Sequence, residues 1–167
     1  EEEDVFAVTE GMIKKIVKDV KGIELADFPR MTYNEAMDRY GSDKPDTRFG
    51  LELLDLTEIL RDTSMNVFRK NIESGGIAKC LIVKNNGDKY SRTDVEHLTD
   101  FVKIYGAKGL AWLKYDNDQF NGVIAKNLED EKLEWIKNTY GVDNNDLILI
   151  VADKPKSGYG SLGGLRV

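Results

Sequence analysis

Three pairs of carboxylates are the groups in this sequence best suited to bind a cation or move a proton. They are Asp43 with Asp46, Asp116 with Asp118, and Asp143 with Asp146. Paired carboxylates can bind Mg²⁺ or Ca²⁺. Each pair here stands among Asn, Gly or Pro residues, and Asp side chains form turns by bonding to nearby backbone amides. The pattern therefore favours turn formation, and we predict no metal site.

No other catalytic pattern is complete. The single cysteine, Cys80, excludes an internal disulfide and a cysteine-based zinc site, and its apolar strand indicates a buried, inert thiol. The single histidine, His97, has no identifiable partner for acid–base chemistry. The glycines near the C-terminus lack the Lys-Ser/Thr pattern of a phosphate-binding loop. These patterns therefore identify no catalytic and no cofactor-binding residue.

The charge distribution suggests one class of ligand. The chain has 24 Lys and Arg against 30 Asp and Glu, which excludes the strong positive field of a non-specific DNA-binding protein. Residues 67–115, however, hold nine basic and five acidic side chains. Local phosphate contacts are therefore possible there, although ordinary solvation also explains any single one. The candidates are Lys79, Lys84, Lys89, Arg92, Lys103 and Lys108.

The elements that must position these groups are indicated by hydrophobic periodicity. Helical spacing of apolar residues predicts helices over 3–20, 32–40, 67–73, 91–105 and 127–140. Thr32 with Glu35 and Ser91 with Asp94 form capping-box patterns, and Asn127 is a third N-cap. Gly22 and Gly141 are predicted helix stops.

Apolar and β-branched runs predict strands over 77–84, 110–115 and 147–152, with 122–126 as an antiparallel neighbour. The order over 67–153 is therefore β, α, β, β, α, β. This order predicts an α+β fold, a two-layer sandwich with a mostly antiparallel sheet and two helices on one face. The longest apolar run, Leu147–Ala152, is too short for the ~20 residues of a membrane span.

The segment Phe28–Arg48 is long, mixed in composition and distinctive. It closely resembles the stretch FPRMTYxEAMxRYGSDKPDxR of bacterial-type aspartyl-tRNA synthetases, which are class II enzymes. Glu3-Asp4-Val5-Phe6 resembles the EDV element after motif 2 of that family, and Leu162–Arg166 resembles its LGxLR element. The family pattern has Ala where Gly163 or Gly164 stands.

Four further segments resemble the GAD domain, which is inserted into the bacterial enzyme and also occurs in the B subunit of the tRNA-dependent amidotransferase. They are Ser74–Gly76, Ser91-Arg92, Tyr105–Trp112 and Val151–Asp153. The resemblance implies three regions. Residues 1–66 are a strip of the catalytic domain, 67–153 are the GAD domain, and 154–167 are a return strand. We expect both ends of the chain to be cuts through a larger protein.

The resemblance also implies a function. The parent enzyme attaches aspartate to tRNA with ATP and Mg²⁺, is cytoplasmic, and forms a homodimer through a region absent here. Because the residues of the family that bind aspartate and ATP fall outside this chain, we expect the chain alone to be inactive. Because the dimer-forming region is also absent, we expect it to be a monomer. Arg39, Lys44 and Arg48 are candidates for the entrance of the active site, although Asp43, Pro45 and Asp46 could simply form a turn there.

The role of the GAD domain itself stays open at this point. Because both enzymes that contain it handle acylated tRNA, we expect it to lie along the acceptor end, where a few lysines could contact the backbone of A-form RNA. The alternatives are a passive structural module and a fragment of the amidotransferase B subunit. The stretch 28–48 favours the synthetase, since it does not belong to the amidotransferase pattern.

Overall fold

The computed structural model describes all residues from Glu1 to Val167, which divide into two compact units, Glu1–Thr32 and Tyr33–Val167. The helices are α1 (Glu2–Lys21), α2 (Tyr33–Tyr40), α3 (Asn66–Glu73), α4 (Arg92–Ile104), α5 (Asp130–Tyr140) and α6 (Pro155–Arg166). The strands are β1 (Leu54–Asp55), β2 (Ile77–Val83), β3 (Ala111–Asp116), β4 (Gln119–Asn121) and β5 (Asp146–Asp153). None of the helices is long and apolar enough to span a membrane.

The first unit is α1 and the segment that follows it. Gly22 ends the helix in the left-handed conformation, as predicted. Glu10 then holds the following segment, because its carboxylate accepts hydrogen bonds from the backbone amide of Phe28 and from the Arg30 side chain. The Arg30 guanidinium lies 4.3 Å from the centre of the Phe6 ring. No residue of α1 is buried.

The second unit is built on one sheet with the strand order β1-β2-β5-β3-β4, in which every neighbouring pair is antiparallel. Strands β2 and β5 are central, with Ile77 opposite Asp153 and Val83 opposite Leu147. The predicted α+β class and antiparallel sheet are therefore confirmed. The short strand β1 was not predicted, because two residues carry no readable alternation.

The helices cover both faces of this sheet, which differs from the predicted two-layer sandwich. Helices α3 and α5 pack on the face that carries Cys80 and Ile150, whereas α4 and α6 pack on the face that carries Leu81 and Val151. Side chains alternate along a strand, so a strand that is apolar at nearly every position must be covered on both sides. The apolar run of β5 already contained this information, but the prediction did not use it.

Two predicted elements are corrected. The neighbour of β3 is β4, which precedes 122–126, and the two strands are joined by a tight turn in which Asn117 and Asp118 have positive φ. The predicted return strand over 154–167 is α6, a helix that begins with Pro155 at its first position. Proline is favoured there because its missing N–H has no partner within the helix in any case.

The predicted helix caps have mixed outcomes. The capping box of Ser91 and Asp94 is present at the start of α4, and Gly141 ends α5 in the left-handed conformation. Asn127 is not a cap, since α5 begins after Glu129. The Glu129 carboxylate instead accepts hydrogen bonds from the Ser64 amide at 2.5 Å and the Thr63 hydroxyl at 2.8 Å, so it joins α5 to the loop before α3.

This contact predicts a pH-dependent contribution to stability. Burial raises the pKa of Glu129, but hydrogen bonds from Ser64, its own backbone and Thr63 outweigh that effect and lower it from 4.5 to about 2. The stabilisation is therefore complete above the unfolded pKa and is lost as pH falls through the folded value. We expect Glu129→Gln to lower the free energy of unfolding at pH 7 by about 2 kcal/mol, and by much less near pH 3.

Urea unfolding followed by circular dichroism between pH 3 and pH 7 measures this difference. Glu131→Gln is the matched control, because it removes an exposed carboxylate from the same end of α5 and should change stability by about 0.5 kcal/mol or less. A gap between Glu129→Gln and the unmodified chain that stays constant over this pH range would contradict the assignment.

Candidate functional site

The candidates for an active-site entrance lie on and after α2, where Arg39 is held by two carboxylates. Its Nε and Nη2 donate to both oxygens of Glu52 at 2.9 and 2.7 Å, and its Nη1 donates to Glu35 at 2.8 Å. These hydrogen bonds raise the pKa of Arg39 and lower that of Glu52. Two carboxylates outweigh the single positive charge of this guanidinium and occupy three of its donors, so Arg39 is poorly suited to bind a phosphate.

Lys44 and Arg48 are more accessible. Lys44 is exposed, and its ammonium has no hydrogen bond or ion pair in the structure. Arg48 is 89% exposed, but its guanidinium pairs with Asp46 at 2.5 Å, and this hydrogen bond lowers the pKa of Asp46 to about 2. The structure therefore places one unpaired and two paired cations in this segment.

Arg166 is the strongest feature of this region, and no sequence argument identified it. The residue is buried, and its guanidinium donates to four backbone carbonyls, those of Asp46, Phe49, Gly50 and Leu51. Its guanidinium also lies over two aromatic rings, 4.7 Å from the centre of Tyr40 and 4.4 Å from that of Phe49. A cation on aromatic faces is favourable when it is shielded from water. Arg166 therefore holds the segment after Pro45 in shape.

Lys79 must be removed from the surface candidates. It is 1% exposed, because its ammonium lies between Asp38 at 2.6 Å and Asp55 at 3.3 Å. The same ammonium donates to the backbone carbonyl of Asp38, and the Tyr159 hydroxyl contacts the Asp38 carboxylate. Lys79 thus ties α2, β1, β2 and α6 together from inside the fold. Strand alternation could have flagged it, since Lys79 shares the covered face with Leu81.

The remaining cation candidates fall into two groups at opposite ends of the sheet. The Lys84 end, where Val83 faces Leu147, carries Lys84, Lys89 and Arg92. Lys84 pairs with the buried Asp146 at 2.8 Å, and Arg92 pairs with Glu96 at 3.1 Å, whereas the Lys89 ammonium has no partner. Burial raises the pKa of Asp146, but hydrogen bonds from Asp143, Lys84 and Asn85 outweigh this effect, so the pKa is lowered overall.

The Lys108 end carries the other two candidates. Lys103 pairs with Asp100 at 2.9 Å in the last turn of α4. Lys108 is exposed and its ammonium has no partner, while its backbone amide donates to the buried Asp153 at 3.0 Å. The six candidates therefore form no single patch, because one is buried and the other five are divided between two surfaces.

Two other predictions concern groups that could react or bind metal. Cys80 is a free, buried thiol, as predicted, and burial raises its pKa well above the usual range. Such a thiol is a poor nucleophile, because the thiolate is the reactive form. No three His, Cys, Asp or Glu side chains are grouped so that they could hold a metal ion.

Comparison with known proteins identifies the family. The GAD domain family matches residues 68–162, more than half of the chain. The chain belongs to the GAD domain family. The match begins within α3 and ends within α6, so this GAD domain includes the first two turns of the helix that replaces the predicted return strand. Assignment of residues 1–66 to a catalytic domain stays a prediction, since the structural division falls after Thr32.

Similar proteins cover the GAD domain and both flanking segments. The aspartate–tRNA ligase of Staphylococcus carnosus is 53% identical over 168 residues, and that of Staphylococcus aureus is 48% identical over the same length. Each alignment covers 100% of this chain and 29% of the relative. The chain therefore spans less than a third of the curated relatives that it matches. The resemblance to bacterial-type aspartyl-tRNA synthetases, stated from Phe28–Arg48, is confirmed over the whole chain.

Proposed function

We propose that this chain is a region of an aspartate–tRNA ligase that contributes the GAD domain and does no chemistry alone. The observation that carries the proposal is the 53% identity to such a ligase across the entire chain. That alignment includes Phe28–Arg48, which favours the ligase over the amidotransferase B subunit. The whole enzyme would attach aspartate to tRNA with ATP and Mg²⁺, through residues outside this chain.

The first test is direct. The purified 167-residue chain is expected to give no aspartate-dependent exchange between ATP and pyrophosphate, because the family's residues that bind aspartate and ATP would lie outside it. The full-length protein should give this exchange under the same conditions. Exchange by the isolated chain would contradict the proposal that it does no chemistry alone. No exchange by the full-length protein would contradict the ligase assignment.

Within the enzyme, we propose that the GAD domain helps to place the acceptor end of the tRNA. Double-stranded RNA is recognised mainly through its shape and backbone, so a few exposed cations on a rigid surface suffice. Lys89 and Lys108 each present an exposed ammonium with no protein partner, one at each end of the sheet. Arg39, Lys44 and Arg48 would lie near the active-site entrance, where Lys44 alone is unpaired.

Charge reversal at each end of the sheet, one end at a time, tests which surface faces the tRNA. In the full-length ligase, Lys89→Glu with Arg92→Glu changes one end, and Lys103→Glu with Lys108→Glu changes the other. We expect one pair to raise the Kd for tRNA about tenfold and to reduce the slope of log K against log salt by about 1–2. Pyrophosphate exchange should not change, because that step needs no tRNA.

The two double variants are matched controls for each other, since each alters the net charge by the same amount. Unchanged tRNA affinity and charging in both would contradict the acceptor-end role and would favour a passive structural module. Charge reversal is a cleaner test than replacing 67–153 with a linker. That deletion would uncover Leu56, Leu60 and Leu162, which are fully buried against the removed sheet.

The remaining parts of the proposal concern assembly and compartment. We propose that the full-length enzyme is a cytoplasmic homodimer whose interface lies outside this chain, and that the isolated chain is a monomer. Light scattering on both proteins tests the assembly. A dimer of the isolated chain at micromolar concentration would place an interface within these 167 residues and contradict this part.

A further inference from the structure

A groove of about 610 Å³ lies beside α3, and of the candidates for tRNA contact only Lys108 lines it. Its apolar lining includes the buried residues Phe68, Ile124 and Ile150, which belong to the core cluster on this face of the sheet. This volume lies within the range of about 300–1,000 Å³ that is typical of small-molecule sites. The groove is therefore large enough to accommodate a ligand with one or two rings.

Two exposed valines extend the apolar surface out to solvent. Val67, on α3, is 66% exposed, and Val123, which follows β4, is 58% exposed, and both line the groove. Single exposed apolar side chains are common on proteins, but here two of them continue a concave apolar floor. That continuity suits the apolar body of a ligand rather than a chain of ordered waters.

The charged groups of the groove are all positive. Lys70, on α3, and Lys108, before β3, line it, and neither ammonium has a hydrogen bond or ion pair within the protein. None of the 30 acidic residues of the chain lines the groove. In a protein with a net charge of −6, a concave surface with two free cations and no carboxylate favours an anionic ligand.

The walls that carry these lysines are held in place by partly buried hydrogen bonds. The Asn71 side-chain amide donates to the carbonyls of Ile77 at 3.1 Å and Asp153 at 3.4 Å, which anchors α3 to β2 and β5. The Asp153 carboxylate accepts from the backbone amide of Lys108 at 3.0 Å. The groove is thus preformed, so binding would require little ordering of the protein.

We propose that this groove is a binding site for a small organic anion, with an apolar ring body on the floor and a carboxylate or phosphate at Lys70 and Lys108. The proposal goes beyond the tRNA ligase function. The two share Lys108, but anion binding is tested without tRNA, so either proposal can fail without the other. Lysine ammonium groups act as mobile point charges, so the site can accept either anionic group.

Titration of the 167-residue chain with 2-naphthoate and with 2-naphthyl phosphate, followed by ¹H–¹⁵N chemical shifts, tests the site. We expect saturable one-to-one binding, with the largest shifts at Lys70, Ala111 and Val123. The neutral analogue 2-naphthol should bind at least about tenfold more weakly than either anion. The tighter of the two anions distinguishes a carboxylate site from a phosphate site.

Variants separate the charged and apolar parts of the site. Lys70→Glu with Lys108→Glu is expected to weaken binding of the anions about tenfold or more, whereas Lys44→Glu with Lys89→Glu, the same charge change outside the groove, should alter it less than about twofold. Val67→Glu should also weaken binding. Ile104→Glu is its matched control, because Ile104 is similarly exposed but lies on α4, outside the groove.

The chemical-shift spectra of the free variants show whether each one is folded, so a loss of binding can be interpreted. No saturable binding of either anion at millimolar concentration would overturn the proposal. Equal affinity for 2-naphthol, or equal weakening by the groove and control variants, would overturn it as well.

Discussion

Removing both carboxylates around Lys79, as Asp38→Asn with Asp55→Asn, is expected to lower the free energy of unfolding by about 3–5 kcal/mol. Lys79 is 1% exposed, and its ammonium lies 2.6 Å from Asp38 and 3.3 Å from Asp55. Without these partners a positive charge would stay buried with only neutral acceptors, namely the backbone carbonyl at position 38 and the amide oxygens of the new asparagines. Urea unfolding at pH 7 measures the loss.

The opposite substitution should be much milder. Lys79→Met removes the buried charge and keeps most of the side-chain volume, while the two aspartates are half-exposed and can be solvated by water. We expect a change of about 1 kcal/mol or less. Asp43→Asn with Glu131→Gln is the control for net charge, because both carboxylates are exposed. A larger loss for Lys79→Met than for the double aspartate variant would refute this account.

Gly163→Ala is expected to destabilise the second unit by about 2–3 kcal/mol. A Cβ atom at Gly163 would lie 2.4 Å from the carbonyl oxygen of Gly41, and this neighbour is backbone that cannot rotate away. Gly41 itself has a φ of 67°, in the left-handed region, and a Cβ there would lie 2.3 Å from the Tyr159 carbonyl oxygen. Gly41, directly after α2, and Gly163, in α6, therefore touch backbone to backbone.

Gly160→Ala is the matched control within the same helix. A Cβ at Gly160 would meet only Tyr105, at an ordinary contact distance of 3.7 Å, so we expect neutrality or a gain of up to about 1 kcal/mol from helix propensity. Thermal unfolding of both variants provides the comparison. If Gly163→Ala is as stable as Gly160→Ala, the close approach of the two backbones is not a constraint on this fold.

The same geometry resolves a point that the resemblance left open. The family pattern has Ala at position 163 or 164, and this chain has Gly at both. A Cβ at Gly164 would contact the ring of Tyr105 at 2.8 Å, and this exposed side chain can rotate. Position 164 is therefore the one that can accept Ala, whereas Gly163 is restricted by the backbone of Gly41.

Much of the local structure was readable from the sequence because its causes are local. Ser91 and Asp94 cap α4 through contacts three residues apart, and Gly22 and Gly141 end helices through a backbone conformation that glycine adopts without strain. The central strands β2 and β5 were visible as apolar runs. The stretch Phe28–Arg48 pointed to the enzyme family without any structural information.

The errors share a different cause. The resemblance and the apolar stretch at its end predicted the segment 154–167 as a return strand, but its glycines allow a helix to lie directly on the end of α2. Asn127 has a side chain that suits an N-cap, but α5 begins after Glu129. The Glu129 carboxylate accepts hydrogen bonds from Thr63 and Ser64, which lie more than sixty residues away in the sequence. Long-range contacts override local preference in both cases.

The sequence by itself determined the family, the α+β class, the central strands and most helix ends of this protein, because these follow from motif identity, periodicity and contacts within a few residues. Only the tertiary structure decided which helices cover each sheet face, which carboxylates pair with Lys79, that Arg166 is buried, and that Lys70 and Lys108 line one groove. Each of these depends on which distant segments meet. The spacing of residues along the chain can indicate that a charged side chain is buried, but it does not indicate which distant residue pairs with that charge.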